Sequence, residues 1–143
     1  MQKKIVLNIT PQTWVRATQN DRKLFILYNL WKAGKYNMSK AGIDRVQRLE
    51  QYNEYKVSLL ALAKQQRFML PEQGASIIFY IPVSKSWKKH KKIAMHMQLH
   101  RNKPDLSNLL KAFEDGLMTE DKGIANYSGL TKMWVNEPGR IEI

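Results

Sequence analysis

Residues 103–117 read Lys103-Pro-Asp-Leu-Ser-Asn-Leu-Leu-Lys-Ala-Phe-Glu-Asp-Gly-Leu117, and their spacing anchors the expected architecture. Leu106, Leu109, Leu110, Phe113 and Leu117 recur at three- and four-residue steps, so they share one face of a helix, which should pack on a sheet. Asn108, Lys111 and Asp115 are left on a different face. Asp105 stands at the helix entrance, where free N–H groups and the macrodipole favour negative charge. Pro104 pushes Lys103 toward an extended conformation. The spacing predicts a helix over 104–118.

Outward from this stretch, residues 75–83 (ASIIFYIPV) are β-branched and aromatic and predict a strand, with Pro82 confining its end to an edge. Residues 4–9 predict a short strand ended by Pro11. Residues 13–22 are polar and basic and read as a loop. Residues 23–31 are apolar enough to be buried but too short to assign to strand or helix. Gly34 to Ser39 breaks the chain. From Ser39 or Ala41 the positions Ile43, Val46, Leu49, Tyr52, Val57, Leu60 and Ala63 follow helical steps, and residues 66–71 end that long helix. Tyr52 and Tyr55 on it read as core or edge packing. Residues 124–135 and 140–143 predict strands separated by a turn at 137–140, close enough to pair antiparallel. The expected class is α/β (α+β): a small mixed β-sheet packed against helices, in a single domain over 1–143.

A chain of 143 residues without cysteine supports one core and excludes disulfides and thiolate metal sites. No apolar run approaches the ~20 residues that span a bilayer, and the opening MQKKIVLNITPQTW lacks the apolar stretch of a signal peptide. A soluble, cytoplasmic protein with no membrane partner is expected. The net charge of +12 calls for a polyanionic partner, and the DNA phosphate backbone is the leading candidate over anionic membrane or acidic protein. The distribution favours DNA. Residues 73–104 hold no acid but contain Lys85, Lys88, Lys89, Lys91, Lys92, Arg101 and Lys103, whereas Asp105, Glu114, Asp115, Glu120 and Asp121 follow directly. A basic face beside a carboxylate cluster suits a metal-dependent nuclease, in which one part holds phosphates and the other a cation. Trp87 beside the Lys88–Lys92 run, and Arg16 and Arg22 in the early loop, add phosphate-contact candidates.

Other chemistry finds less support. His96 and His100 would share a face if helical, but no acid or cysteine lies among them and no HExxH occurs, so the three histidines read as surface or phosphate-contacting groups rather than zinc ligands. No glycine-rich phosphate loop and no nucleophile elbow is present. From pattern alone, the leading reading is that Asp105 or Ser107 is simply a helix N-cap and the rest a routine amphipathic helix. Asp115 lies ten residues from Asp105, roughly 15 Å along a helix, so it is better placed to hold structure than to share a site.

The run KPDLSNLLKAFEDGL, followed by Glu120-Asp121, Lys132 and Gly139-Arg140-Ile-Glu-Ile143, resembles the RusA family of Holliday-junction resolvases over 103–143. Weaker likenesses lie at Thr13-Trp-Val-Arg-Ala-Thr18 and Ser86-Trp-Lys-Lys89. The resemblance implies a Mg2+-dependent endodeoxyribonuclease (Mn2+ being the alternative ion) that resolves four-way DNA junctions by paired nicks as a homodimer in recombination or repair. A phage or prophage origin in a bacterium fits the same family. Carried residue by residue, it implies Asp105 and Asp121 as metal ligands, Glu120 as the less critical half of the acidic pair, and Lys111 as the lysine that assists cleavage. Ser107 departs from the pattern, standing where the family has a second motif aspartate. The expectation is that this motif sits just before the helix proper, so serine retains a capping role and loses a hard anionic ligand. Weak or absent cleavage, with DNA binding retained, is the alternative that Ser107 raises. Gly116, in place of the usual alanine, is expected to weaken the helix end slightly.

Overall fold

The apolar face of 106–117 is the place where the sheet and the longest helix meet. A computed structural model describes residues 4–118 and 123–143. In chain order the elements are β1 (Val6–Leu7), α1 (Gln19–Lys32), α2 (Lys40–Gln65), β2 (Ala75–Pro82), α3 (Lys89–Met95), α4 (Leu106–Leu117), β3 (Tyr127–Val135) and β4 (Arg140–Glu142). The four strands form one mixed sheet in the order β1-β4-β2-β3, an α+β arrangement. No described helix is long and apolar enough to cross a membrane.

β2 and β3 run parallel, with Ile77 opposite Leu130 and Phe79 opposite Lys132. Parallel neighbours need a long crossover, and α3 with α4 supplies it. β4 pairs antiparallel with β2 (Phe79 opposite Ile141) and with β1 (Leu7 opposite Ile141). The expected antiparallel pairing of the last two strands therefore does not occur. The turn after β3 carries the chain across β2, where β4 finds the short β1 on its far side. Pro82 pairs only with Val135 of β3, beyond the reach of β4, so the end of β2 is a local edge as expected. Backbone of residues 97–100 covers the outer edge of β3: Met97 N–H donates to Trp134 C=O at 2.8 Å, Trp134 N–H to Gln98 C=O at 2.9 Å, and His100 N–H to Lys132 C=O at 3.0 Å.

The core lies between the sheet, α4 and α2. Leu7, Leu59, Phe79, Leu109, Phe113 and Ile141 are fully buried there, and Leu106, Leu110 and Leu117 pack around them. Phe79 and Phe113 meet edge to face at 5.9 Å. Tyr52 and Tyr55 are buried, in keeping with their reading as packing residues. Gly116 leaves room for the approach of α2: an added methyl would come within 2.8 Å of the buried Leu59 Cδ2.

Two expectations for the N-terminal part change. The segment 13–22 is a loop only as far as Thr18, because Thr18 and Asp21 close a capping box that starts α1 at Gln19. Residues 23–31 are helical and only half-buried. α1 leans on the first half of α2 through a small separate cluster of Tyr28, Met38 and Val46, and Ile26 remains 60% exposed.

Candidate active site

Asp105 takes the N-cap position of α4 with extended backbone (φ −66°, ψ 142°). Its C=O accepts from the N–H groups of Asn108 and Leu109, both at 3.1 Å, while its exposed carboxylate makes no cap hydrogen bond. Ser107 is the second residue inside the helix and is exposed, so it is not the cap and does not precede the helix. The expected extended geometry for this motif is corrected accordingly: Asp105 alone lies outside the helical turn. Ser107 and Lys111, four residues apart, lie on one exposed face.

Lys111 is held from outside its own helix. Its Nζ sits 3.9 Å from the centroid of the Trp14 ring, and Trp14 N–H donates to Asn108 C=O at 3.1 Å. Asp115 binds structure, as its distance from Asp105 suggests: it accepts from Tyr52 OH at 2.6 Å and lies 3.8 Å from Lys56 Nζ. Burial and this carboxylate together push the Tyr52 phenol well above its ordinary pKa. On β3, Lys132 Nζ donates to Pro104 C=O at 2.6 Å and to Asn102 C=O, tying the segment before Asp105 to the sheet. Sequence reading gave Lys132 no site role, although it falls within the resemblance; its partners are backbone carbonyls, which leave no trace in residue types.

The basic segment forms α3 and the stretches beside it. Lys85, Lys88, Lys89 and Lys91 are exposed and Lys92 is half-buried. A column of rings fastens this segment to β3: Lys91 Nζ lies 4.2 Å from the Trp87 ring, Trp87 meets Trp134 at 4.8 Å, and Trp134 stacks on His100 at 3.8 Å. Arg101, Lys103 and Arg16 are exposed, so these candidate phosphate contacts are all accessible.

The expectation of surface histidines holds for His90, which is exposed, and fails for His100, which is packed inside. His100 is buried, and burial, then the nearby Lys132 charge, lowers its pKa. His96 is the C-cap of α3 and does not share a helical face with His100; its Nδ1 accepts from Asn136 N–H at 2.9 Å. Among the described residues, no group of three or more His, Asp or Glu side chains could hold a metal. Glu120 and Asp121 lie outside the described residues. At the head of the motif helix Asp105 offers an exposed carboxylate, a hard oxygen donor of the kind that suits a magnesium-type ion.

Asp105 heads α4 and exposed lysines line α3 and its flanks, in a mixed α+β fold. The chain belongs to the RusA endodeoxyribonuclease family: the family model described as endodeoxyribonuclease RusA matches residues 32–143, from the end of α1 through β4. Membership makes the chain an endodeoxyribonuclease by class and DNA its partner. No curated protein matches the chain.

Proposed function

We propose that this chain resolves four-way DNA junctions by paired nicks, acting as a homodimer with Mg2+ or Mn2+. The observation that carries the reading is Asp105, whose carboxylate stands exposed at the head of the motif helix and is not consumed as a helix cap. Asp105 and Asp121, with Glu120 in support, are the residues that would hold the ion. When bound, a divalent ion supplies Lewis-acid polarisation of the phosphodiester and activation of water. Lys111 offsets the charge that develops on the phosphate oxygens. Lys132 fixes the direction of the chain into Asp105 by its bonds to residues 102 and 104. The exposed lysines at 85, 88, 89 and 91, with Arg16, Arg101 and Lys103, hold flanking phosphates. Two nicks in opposed strands call for two sites related by a two-fold axis, and a C2 dimer provides them.

The test is cleavage of a four-way junction in a magnesium titration. Asp105→Asn and Asp121→Asn abolish nicking while junction binding is kept or tightened, because a negative charge near phosphate is removed along with a metal ligand. A wild-type cutting rate in either variant would refute the role of that aspartate. Light scattering that gives a monomer mass at micromolar concentration would count against paired nicking.

A junction-binding protein that does not cut is the second reading, and Ser107 favours it. Binding without nicking at every magnesium and manganese level would select it.

A further inference from the structure

We infer that residues 12–18 form a clamp that positions Lys111, with Trp14 as the positioning residue and the Asp21–Arg45 pair as the latch. The inference rests on the proposed role of Lys111 at the phosphate. It assigns work to a segment that lies ahead of the residues matched by the family model.

Lysine has four rotatable side-chain bonds, and an exposed lysine on a helix ordinarily sweeps a wide arc. Lys111 is exposed, yet its ammonium rests on the Trp14 ring at 3.9 Å. The backbone of Trp14 is stitched to the same helix one turn earlier, through its N–H bond to Asn108 C=O at 3.1 Å. The ring is thus held in register with the residue it supports. The natural helical neighbour of Lys111 is Asp115, four residues on, but that carboxylate is taken by Tyr52 at 2.6 Å and approached by Lys56 at 3.8 Å. The Lys111 ammonium therefore rests on a π face, which attracts it without bringing an opposing charge. A phosphate-facing lysine needs both a fixed place and an uncancelled charge.

The latch explains how the loop keeps its own place. Arg45 of α2 grips Asp21 through two bonds, Nε to Oδ1 and Nη2 to Oδ2, both at 3.0 Å. The same Nη2 donates to Arg16 C=O at 2.6 Å, so one guanidinium holds both ends of the segment that follows Trp14. Thr18 N–H adds a bond to Asp21 Oδ2 at 2.6 Å. Under the loop lies a hollow of about 190 Å3 lined by Trp14, Val15, Phe25, Leu49 and Asp115, among others. Close packing does not fill this space, and polar ties must supply the rigidity that a filled core would otherwise give. Trp14 packs against the rim of the core and stays half-buried, and its ring also offers a face to the Lys111 ammonium.

The experiment is single-turnover cleavage of a four-way junction with magnesium by Trp14→Ala, Trp14→Phe, Arg45→Gln, Lys111→Ala and the Trp14→Ala/Lys111→Ala double variant. Thermal melts check folding, and NMR follows the Lys111 side-chain methylene resonances. Trp14→Ala should slow cutting about tenfold or more at saturating substrate, with junction affinity changed by less than about twofold. Trp14→Phe should restore most of the rate, since an aromatic face remains. Arg45→Gln should slow cutting in the same direction through the loosened loop. In the Lys111→Ala background Trp14→Ala should cost nothing further, because the two residues act as a unit. The upfield ring-current shift of Lys111 should vanish in Trp14→Ala and persist in Trp14→Phe. Independent, multiplying effects in the double variant, or Lys111 resonances that do not move in Trp14→Ala, would overturn the clamp while leaving the role of Lys111 standing. A Lys111→Ala protein that cuts at the parent rate, or a parent that never cuts, would instead remove the role of Lys111 and the purpose of the clamp with it.

Discussion

Replacing Ser107 by aspartate asks the structure a quantitative question. Position 107 is exposed, in the first turn of α4, and four residues before Lys111. The N-cap is Asp105, so no capping bond is lost. A first-turn carboxylate gains about 0.3–1 kcal/mol from the helix N-terminus. Its i,i+4 relation to Lys111 adds about 0.2–0.5 kcal/mol, in the favourable order of acid before base. Repulsion from the exposed Asp105 at roughly 8 Å takes back about 0.5 kcal/mol in a water-like dielectric. The metal-free variant should therefore be unchanged or more stable by up to about 1 kcal/mol, a rise in melting temperature of at most about 4 °C. A divalent ion should add to that, since it offsets the remaining repulsion between the two carboxylates. Thermal melts with and without magnesium, beside nicking of a four-way junction across a magnesium titration, read both effects. Half-maximal cutting should move to lower magnesium, and DNA binding without metal should weaken slightly. A variant that folds and binds but shows neither a metal-dependent stability gain nor better cutting would refute the assignment of position 107 to the metal site. The search for ligands would then start with Glu120.

Three further outcomes follow from the same structure. Changing Lys88, Lys89, Lys91 and Lys92 together to alanine should weaken DNA binding across sequences and flatten the salt dependence by about one unit of slope for each phosphate no longer neutralised; an unchanged slope in fluorescence anisotropy would take α3 out of the interface. The Arg45 guanidinium, foremost, and the Thr18 amide hold the Asp21 carboxylate at a pKa of about 2. A pKa depressed on folding gives stability that is full above the ordinary carboxylate range and is lost as pH falls toward 2, so α1 should loosen in acid, and Arg45→Gln should return the Asp21 titration seen by NMR toward ordinary values. Phe113→Ala should cost about 3–5 kcal/mol in urea unfolding, because the ring is fully buried edge-on against Phe79; a loss under about 1 kcal/mol would mean that the motif helix does not anchor the core.

Much of this was legible in one dimension because the signals are local. The three- and four-residue steps of Leu109 and Phe113 name the buried face of α4, and those of Val46, Leu49 and Tyr52 name that of the first half of α2, whereas Val57, placed on the same steps, is 71% exposed. The β-branched run of β2 and the acid-free basic stretch are equally direct, and the motif from Lys103 onward carries the family with it. The tertiary structure decided what no window of sequence contains. The lysine run forms α3 with little amphipathic pattern, and what fastens it is the ring column through Trp87, Trp134 and His100, which joins residues far apart in the chain. β4 crosses β2 instead of pairing with β3, so that Ile141 is buried between Leu7 and Phe79. Trp14 reaches Lys111 across 97 residues, and Lys132 finds the carbonyls before Asp105. Periodicity tells a segment which face to bury. The partner it is buried against is chosen among distant segments, by packing and hydrogen bonding that exist only once the chain has closed.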